Sequence, residues 1–344
     1  MGCVVLDKEE EVYSKKNMNN GIENEKENEY LLPEGLAKRC DLSKYYKISE
    51  KIIGEGASGK VCIGEKDNQK YAIKRIRKDK IQMPNQIILE AKISLNIKHR
   101  NIMNYIEIYE DLKYINCVME LAEGGDLFDF ILNHPLGHLP DDISIDLMIQ
   151  ILEVLEYLHT EKKIIHRDLK PENFLVHIDE DNNPIIKLID FGLATYIPEN
   201  KKINEIVGTR AYSAPEIIEK CGYSEKIDEW AAGVILFNML TGYEPFVGKT
   251  TSQLKDNIRF SRINFELIKN EELRELDKKL LNRYVLKRIS AKEALEEIIN
   301  IKNERIKEEE SENNNENNNE NDNNNENNEL KDGVGITANH VLVL

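Results

Sequence analysis

The spacing of apolar residues divides the chain into a strand-rich part and a later helical part. Between Tyr46 and Ile76, short strand-like segments are separated by glycine-rich or Asp-Asn turns, a pattern typical of antiparallel strands. A helical segment follows Pro84, and beyond Gly124 apolar residues recur at i, i+3 and i+4. The sequence therefore predicts an α+β fold with two lobes, a small antiparallel-sheet lobe with one main helix and a larger, mainly helical lobe.

The two ends of the chain differ in composition from its middle. Residues 1–44 are rich in Asn, Glu and Lys, and the stretch after residue 300 is dominated by Asn and Glu. Such segments bury too little apolar surface to offset the entropy lost on folding. We therefore predict a flexible arm over residues 1–44, a folded domain over residues 45–300 and a disordered tail over residues 301–344.

Charge and cysteine usage narrow the class of function. The net charge of the 344 residues is −16, which argues against general nucleic-acid binding. Much of it lies in the tail, where ten acidic residues between Glu304 and Glu329 face two basic ones. The five cysteines are scattered without metal-ligand spacing, and no secretory signal or membrane-spanning run is visible. These features indicate a reduced, cytoplasmic protein.

A glycine-rich turn and a lysine form the first candidate site. Gly54, Gly56 and Gly59 lie between two predicted strands, where glycines let backbone N–H groups approach phosphates closely. The following strand argues against a Rossmann loop, but the motif alone is weak because most such matches are tight turns. Lys74 on the next strand can point at phosphates if a carboxylate holds it, and Glu90 can supply that carboxylate. Taken singly, Lys74 and Glu90 fit solvent-exposed side chains equally well.

Two polar stretches embedded among apolar residues carry the main chemical signal. They are residues 166–173, His-Arg-Asp-Leu-Lys-Pro-Glu-Asn, and residues 190–192, Asp-Phe-Gly. Burying so many charges is costly unless they bind one another or a cation. Phosphoryl transfer needs a carboxylate near the acceptor hydroxyl, oxygen ligands for Mg²⁺ and a cation on the moving phosphate. Asp168, the pair Asn173 and Asp190, and Lys170 meet these three needs.

At this order and spacing the motifs resemble those of the eukaryotic protein kinase family, from Tyr46 to about Ile299. The resemblance implies binding of ATP and Mg²⁺, with Asn173 and Asp190 on the metal. It implies phosphate contacts from the three loop glycines and from Lys74, which pairs with Glu90, and catalytic roles for Asp168 and Lys170. It implies an adenine pocket made of Val61, Ala72, Glu120, Ala122 and Leu175, with Met119 at its back. It also implies a structural ion pair between Glu216 and Arg288, and backbone anchoring by Asp228.

Further residues indicate a subgroup of the family. Lys170, together with Gly208-Thr209 ahead of Ala214-Pro215-Glu216, is similar to the Ser/Thr-specific kinases. Residues 119–128 look most like the calcium/calmodulin group, especially calcium-dependent protein kinases. In such kinases the positions of Asp126 and Glu172 meet basic substrate residues. We therefore expect protein substrates with Arg or Lys a few residues before the acceptor.

The chain departs from this subgroup in its regulatory features. The nearest match to an EF-hand begins at Asp179, but Pro184 falls where that loop needs a glycine, so we predict a hairpin turn and no direct calcium site. Glu205 stands where many kinases have a phosphorylated threonine, and it can pair with Arg167 without phosphorylation; a solvated glutamate is the alternative. Ser94 replaces an apolar residue that packs towards Phe191.

Residues 260–284 match the family poorly, so the last helices are not predicted from it. The amino terminus, Met1-Gly2-Cys3, is a candidate for acylation at Gly2 and Cys3 and hence for membrane association, although Leu6 departs from the myristoylation pattern. We expect an active, monomeric Ser/Thr kinase. The competing hypothesis is a nucleotide-binding pseudokinase scaffold, which Ser94 favours.

Overall fold

The computed structural model describes residues 30–56, 59–122, 124–199 and 201–329, with the backbone alone for residues 309 and 312–329. Its first lobe is a five-stranded antiparallel sheet in the order β1-β2-β3-β5-β4. The strands are β1 (Lys47–Gly56), β2 (Gly59–Lys66), β3 (Gln69–Arg77), β4 (Tyr105–Glu110) and β5 (Tyr114–Glu120). The predicted antiparallel-sheet lobe is thus confirmed.

One long helix, α1 (Pro84–Asn96), crosses the sheet and joins the two lobes. It begins at a proline, whose missing N–H is no loss in the first turn. Ala91 packs in the apolar cluster of the sheet, whereas Ile93 packs in the main cluster of the second lobe. Because successive buried residues of α1 belong to different lobes, the position of this helix depends on both.

Residues 30–44 pack against the sheet, although the sequence predicted a flexible arm as far as residue 44. Leu32 is only 2% exposed and lies in the same apolar cluster as Ala91 of α1. Fully buried Glu110, at the end of β4, accepts the N–H groups of Leu31 at 2.5 Å and Leu32 at 2.9 Å. The packed domain therefore includes Leu31 and Leu32, because a buried leucine and a buried carboxylate outweigh the polar composition around them.

The second lobe is mainly helical, as the sequence predicts. Its helices are α2 (Leu127–Leu132), α3 (Asp141–Glu156), α4 (Pro215–Ile218), α5 (Lys226–Thr241), α6 (Thr251–Phe260), α7 (Glu271–Leu280) and α8 (Ala291–Glu329). One small sheet has the order β6 (Gly125–Asp126), β8 (Phe174–Ile178) and β9 (Pro184–Leu188), and β7 (Ile164–Ile165) pairs with β10 (Thr195–Tyr196). The short strands carry the polar stretches that the sequence singled out.

Helix α5 lies at the centre of this lobe. Every residue from Ile227 to Thr241 is buried, in agreement with an apolar pattern all round the helix. Gly242 ends the helix with φ +73°, and a Cβ there would lie 2.0 Å from the carbonyl oxygen of Gly137. Only glycine fits both requirements, so this residue fixes where the helix stops.

The region that matched the family poorly, residues 260–284, contains the end of α6 and all of α7. Three leucines of α7 are fully buried, Leu273, Leu276 and Leu280. Asp277 lies among them at 0% exposure, and neither of its carboxylate oxygens has a hydrogen-bond partner in the described residues. Burial raises the pKa of Asp277 well above its usual value.

Helix α8 continues beyond the domain end that the sequence predicted at residue 300. Ile301 is 5% exposed, Lys302 pairs with Asp146 of α3 at 2.6 Å, and Arg305 pairs with Asp142 at 2.7 Å. The packed domain therefore reaches at least Arg305, because the first two turns after residue 300 still carry an apolar contact and two cations that face acidic residues of α3.

Two further predictions concern calcium and membranes. Asp179 accepts the N–H groups of Asp181 at 3.0 Å and Asn183 at 2.7 Å and closes the β8–β9 hairpin, so the predicted turn is present. In the described part of the chain, no helix has the length and apolar character needed to span a membrane. Gly2 and Cys3 lie outside the described residues.

Candidate active site

A buried lysine and two acids lie between the sheet and α1. Lys74 of β3 is 8% exposed, and its Nζ lies 2.7 Å from Glu90 Oε1 and 3.5 Å from Asp190 Oδ1. The predicted pair of Lys74 and Glu90 is therefore present. Burial favours the neutral amine, but the charge of Glu90 outweighs it and raises the pKa of Lys74. A permanent cation is thus held at the inner face of the sheet.

The glycine-rich turn lies at the end of the β1–β2 hairpin. Gly56 pairs with Gly59, so two of the three predicted phosphate-binding glycines face each other across the hairpin, and Gly54 pairs with Val61. Ala57 and Ser58, at the tip of the turn, lie outside the described residues. Val61 pairs in turn with Lys74 of β3, so the backbone of the glycine-rich hairpin and the lysine lie next to each other in the sheet.

The predicted adenine pocket has apolar walls from both lobes. Val61, Ala72, Met119, Ala122 and Leu175 all belong to the apolar cluster of the sheet lobe. Leu175 is the residue of this group that lies on β8 of the second lobe, so the second lobe forms one wall of the pocket. The carboxylate of Glu120 is occupied by Lys187 at 2.8 Å and by the N–H of Asn104, also at 2.8 Å. Its backbone is therefore the part of Glu120 that can meet a base.

The catalytic stretch lies in the second lobe, between β7 and β8. Asp168 Oδ1 accepts the N–H of Thr209 at 2.8 Å and its hydroxyl at 2.7 Å. Lys170 Nζ lies 3.1 Å from Asp168 Oδ2 and donates to Thr209 Oγ1 at 3.0 Å. The amide nitrogen of Asn173 donates to the carbonyl of Asp168 at 2.7 Å, which leaves the amide oxygen to ligate a cation.

The backbone of this stretch is held in an unusual conformation from below. Arg167 has φ +70°, which is rare for a residue with a side chain. Asp228 of α5 accepts the N–H groups of His166 at 2.8 Å and Arg167 at 2.9 Å, as the sequence predicts. His159 also donates to Asp228 at 2.9 Å, and the sequence analysis did not single it out. The anchoring carboxylate is thus fixed by a residue that no local motif reveals.

The charges of the site favour ionised acids. Burial opposes ionisation of Asp190, but the Lys74 ammonium and the N–H of Gly192 outweigh it and lower its pKa. Burial lowers the pKa of His166, whose ring meets the ring of Phe191 edge-on at 5.1 Å. The site therefore offers an ionised Asp190 beside the buried Lys74 cation, an arrangement suited to phosphates and a divalent metal.

The family model of the protein kinase domain matches residues 46–298. The chain belongs to the protein kinase family. Calcium-dependent protein kinase 5 of Plasmodium berghei (strain Anka) is 38% identical over 233 residues, which cover 67% of this chain and 41% of that protein. CDPK-related kinase 1 of Arabidopsis thaliana is 34% identical over 295 residues, which cover 78% of this chain and 50% of that protein. The chain thus spans about half the length of the curated relatives it matches.

Two ion pairs expected of a kinase are present. Arg288 Nη1 lies 2.7 Å from Glu216 Oε1 and Nη2 lies 3.1 Å from Oε2, in a buried two-point contact. Arg167 Nη1 donates to Glu205 Oε2 at 2.6 Å, the pair that the sequence predicted in place of a phosphothreonine contact. The Arg167 side chain is 2% exposed, whereas that of Glu205 is 68% exposed.

Ser94 of the kinase is buried, as its position one turn after Glu90 predicts. It is 1% exposed, and its hydroxyl oxygen has no partner in the described residues. An unsatisfied buried hydroxyl costs about 1–3 kcal/mol. The unsatisfied hydroxyl therefore destabilises the packing of α1, the helix that also carries Glu90.

The residues predicted to meet basic substrates lie on the surface. Glu172 is exposed, and Asp126 caps α2 by accepting the N–H of Asp129 at 2.8 Å. The sequence analysis did not single out Glu244, which follows α5. Burial and the neighbouring charge of Glu172 raise the pKa of Glu244. Two carboxylates that repel each other in this way gain from a cation placed between them.

Proposed function

We propose that the chain is an ATP-dependent Ser/Thr protein kinase. The arrangement of Asp168, Lys170 and Thr209 supports this function most directly, because it places a carboxylate, a cation and a hydroxyl in mutual contact. In the proposed reaction the acceptor hydroxyl attacks the terminal phosphorus of ATP, and the bond to ADP breaks. Asp168 orients that hydroxyl and takes its proton, while Lys170 stabilises negative charge on the transferred group.

The residues present fit ATP and Mg²⁺. The cluster containing Val61, Ala72 and Leu175 matches an apolar base, and Lys74 supplies a buried cation for its phosphates. Mg²⁺ retains several waters and binds through one or two side chains plus phosphates, so Asn173 and Asp190 suffice to hold it. When bound, the metal neutralises charge on the phosphates. Within the described residues, no group of three or more His, Cys, Asp or Glu side chains is arranged to hold a metal ion by itself.

The proposed substrates carry basic residues a few positions before the acceptor. Exposed Glu172, exposed Glu244 and the acidic amino end of α2 support this preference. A peptide array tests it: replacing the upstream Arg or Lys by Ala should lower the rate. Unchanged rates would contradict the preference without contradicting kinase activity.

Transfer of labelled phosphate from ATP to a basic peptide tests the proposed function. Wild type should transfer phosphate to the peptide, and Asp190→Ala should not. Asp181 is an exposed aspartate in the β8–β9 turn, so Asp181→Ala should transfer phosphate as wild type does. Equal transfer by wild type and Asp190→Ala would contradict the enzyme hypothesis.

The second candidate, a pseudokinase scaffold, is favoured by the unsatisfied hydroxyl of Ser94. It predicts a nucleotide-dependent rise in melting temperature without transfer to any peptide. Ser94→Leu would distinguish the two, since packing that position should raise the activity of an enzyme and leave a scaffold inactive.

Acylation of Gly2 and Cys3 also stays a prediction. One acyl chain binds membranes only marginally, so both residues are needed for stable attachment. Partitioning of Gly2→Ala between membrane and cytosol tests it, and an unchanged distribution would contradict it. The predicted monomer is tested by sedimentation.

A further inference from the structure

A groove of about 800 Å³ lies between the segment that leads into α4 and the amino end of α6. Its apolar floor comes from Ile217, Ile218 and Leu254. Four cationic side chains line it, and no acidic residue does. They are Arg210, Lys220, Lys249 and Lys255, and all four are exposed. We call this feature the basic groove.

The cations of the basic groove have no acidic partner. None of the four makes an ion pair with any residue of the described segments, whereas the chain as a whole carries 63 acidic against 47 basic residues. The acidic residues next to Lys220 and Lys255 in the chain are engaged elsewhere, since Arg259 pairs with Glu219 at 3.3 Å and with Asp256 at 3.8 Å. A concentration of unpaired positive charge in an acidic protein attracts anions to this one place.

The basic groove adjoins the proposed catalytic residues. Thr209, which lines the groove, donates both its N–H and its hydroxyl to Asp168. Gly208, also in the lining, has φ +93°, and a Cβ there would lie 2.4 Å from the carbonyl oxygen of Arg167. This close approach fixes the segment against the catalytic stretch. The groove therefore lies next to the carboxylate that the acceptor hydroxyl has to reach.

A second surface, formed by residues outside the groove lining, carries charge of the other sign. Glu172 and Glu244 lie close enough for the charge of one to raise the pKa of the other, and both are exposed. A basic peptide segment is attracted to that surface and repelled by the groove. The two surfaces therefore fix both the direction and the charge pattern of a bound peptide.

We propose that the basic groove binds an anionic residue within the first few positions after the phosphoacceptor. The recognised chemistry is a carboxylate or a phosphate, so Asp, Glu and phosphoserine are the residues that fit. This inference rests on the proposed kinase function, from which it takes the peptide direction. A substrate then has basic residues before the acceptor and acidic or phosphorylated residues after it.

The expected preference is moderate because the four cations are exposed. Exposed ion pairs contribute little singly, so several acting together should favour a glutamate-flanked peptide by about five- to tenfold over an alanine-flanked one. A phosphoserine should gain more because it carries roughly two charges and three acceptor oxygens. High salt should shrink both preferences, since solvent-exposed charges are screened.

Peptide kinetics with the full chain test the proposal. Peptides share the same basic residues before the acceptor and continue with alanine, glutamate, lysine or phosphoserine. For wild type, kcat/KM should rise from lysine to alanine to glutamate. In Lys249→Glu/Lys255→Glu the order of the glutamate and lysine peptides should reverse. The matched control Lys269→Glu/Lys292→Glu makes the same charge change elsewhere and should keep the wild-type order.

The outcomes separate this proposal from its alternatives. A rank order that ignores downstream charge, in an active enzyme, would overturn the basic groove as an anion site. An equal rise in kcat/KM for every peptide in Lys249→Glu/Lys255→Glu would also overturn it, because the groove would then hold the acidic carboxyl-terminal stretch of this chain. Absence of transfer to every peptide would instead contradict the proposed kinase function.

Discussion

Glu205→Gln tests whether a fixed carboxylate replaces phosphorylation in this kinase. Arg167 joins three parts of the site: its Nη1 donates to Glu205 at 2.6 Å and to the hydroxyl of Tyr223 at 3.3 Å, and its Nε donates to the carbonyl of Leu193 at 2.6 Å. Glutamine keeps the shape of glutamate and removes its charge. The change therefore weakens one contact of a buried guanidinium and leaves the other two intact.

The size of the effect follows from the burial of the two partners. A hydrogen bond to a charged group is worth about 1.5–3 kcal/mol when buried, but an exposed ion pair gives only about 0.2–1 kcal/mol. Arg167 is buried and Glu205 is 68% exposed, so the pair lies between these limits. We expect a loss of about 1 kcal/mol. If this free energy separates the active arrangement from a disordered segment, kcat falls by about three- to tenfold.

The assay uses protein that has been treated with a phosphatase. Wild type should phosphorylate a basic peptide without pretreatment by another kinase, and Glu205→Gln should lower kcat more than it changes the KM for ATP. Glu199→Gln is the matched control, because Glu199 is exposed on the same segment and has no ion pair among the described residues. Wild type that is inactive until another kinase phosphorylates it would refute the reasoning, as would full activity in Glu205→Gln.

Three further predictions concern buried charges. Asp277→Leu should raise the free energy of unfolding by about 2–4 kcal/mol, because the unpaired acid must be protonated or left charged in the core. The increase should be larger at pH 8 than at pH 5, because keeping the buried acid protonated costs more at higher pH. Burial lowers the pKa of His159, but the hydrogen bond to Asp228 and the nearby carboxylate of Glu229, 3.5 Å from Nδ1, outweigh it and raise the pKa to about 10. Protonated His159 therefore stabilises the folded protein fully below about pH 6.5, and this stabilisation is lost as pH rises through 10. In urea titrations, His159→Gln should abolish this loss of stability at high pH. Glu110→Gln should cost about 2–4 kcal/mol and lower kcat, since it loosens Leu31 and Leu32 beside α1.

Matched controls separate these effects from general surface changes. Glu275→Leu alters an exposed acid on the same helix as Asp277 and should not stabilise the protein. Leu112→Ala removes an exposed side chain next to the β4–β5 turn and should leave both stability and kcat unchanged. A stability of Asp277→Leu at or below that of wild type would show that Asp277 has a partner or is hydrated. Unchanged unfolding of Glu110→Gln would show that residues 30–44 do not contribute to the packed domain.

The parts of the site that the sequence predicted are local. The catalytic stretch, the Asp-Phe-Gly segment and the glycine-rich turn each lie within a few residues, so their chemistry is visible in one window. The pair of Lys74 and Glu90 was predicted through the family resemblance, and the structure has it at 2.7 Å. The strands between Tyr46 and Ile76 were predicted from strand-like segments separated by turn residues, which are also local signals.

The missed features depend on residues that are far apart in the chain. His159 meets Asp228 across 69 positions, and Glu110 meets Leu32 across 78, so no sequence window contains either pair. The four cations of the basic groove are spread over residues 210–255 and converge only when α4 and α6 pack together. The sequence predicted the carboxyl-terminal end of the domain too early, at residue 300. The reason is that Lys302 and Arg305, which pair with acidic residues of α3, have the same charged character as the residues of a solvated tail.

The segment from Leu193 to Thr209 connects the two main proposals. Arg167 holds the segment through Glu205, four residues before its end, and Asp168 holds that end through Thr209. The same end lines the basic groove, so a carboxylate that fixes the segment also fixes the groove. On the proposal that Glu205 replaces phosphorylation, the groove is formed before another kinase has acted on the segment. An anionic residue after the acceptor then meets a site that is already in place.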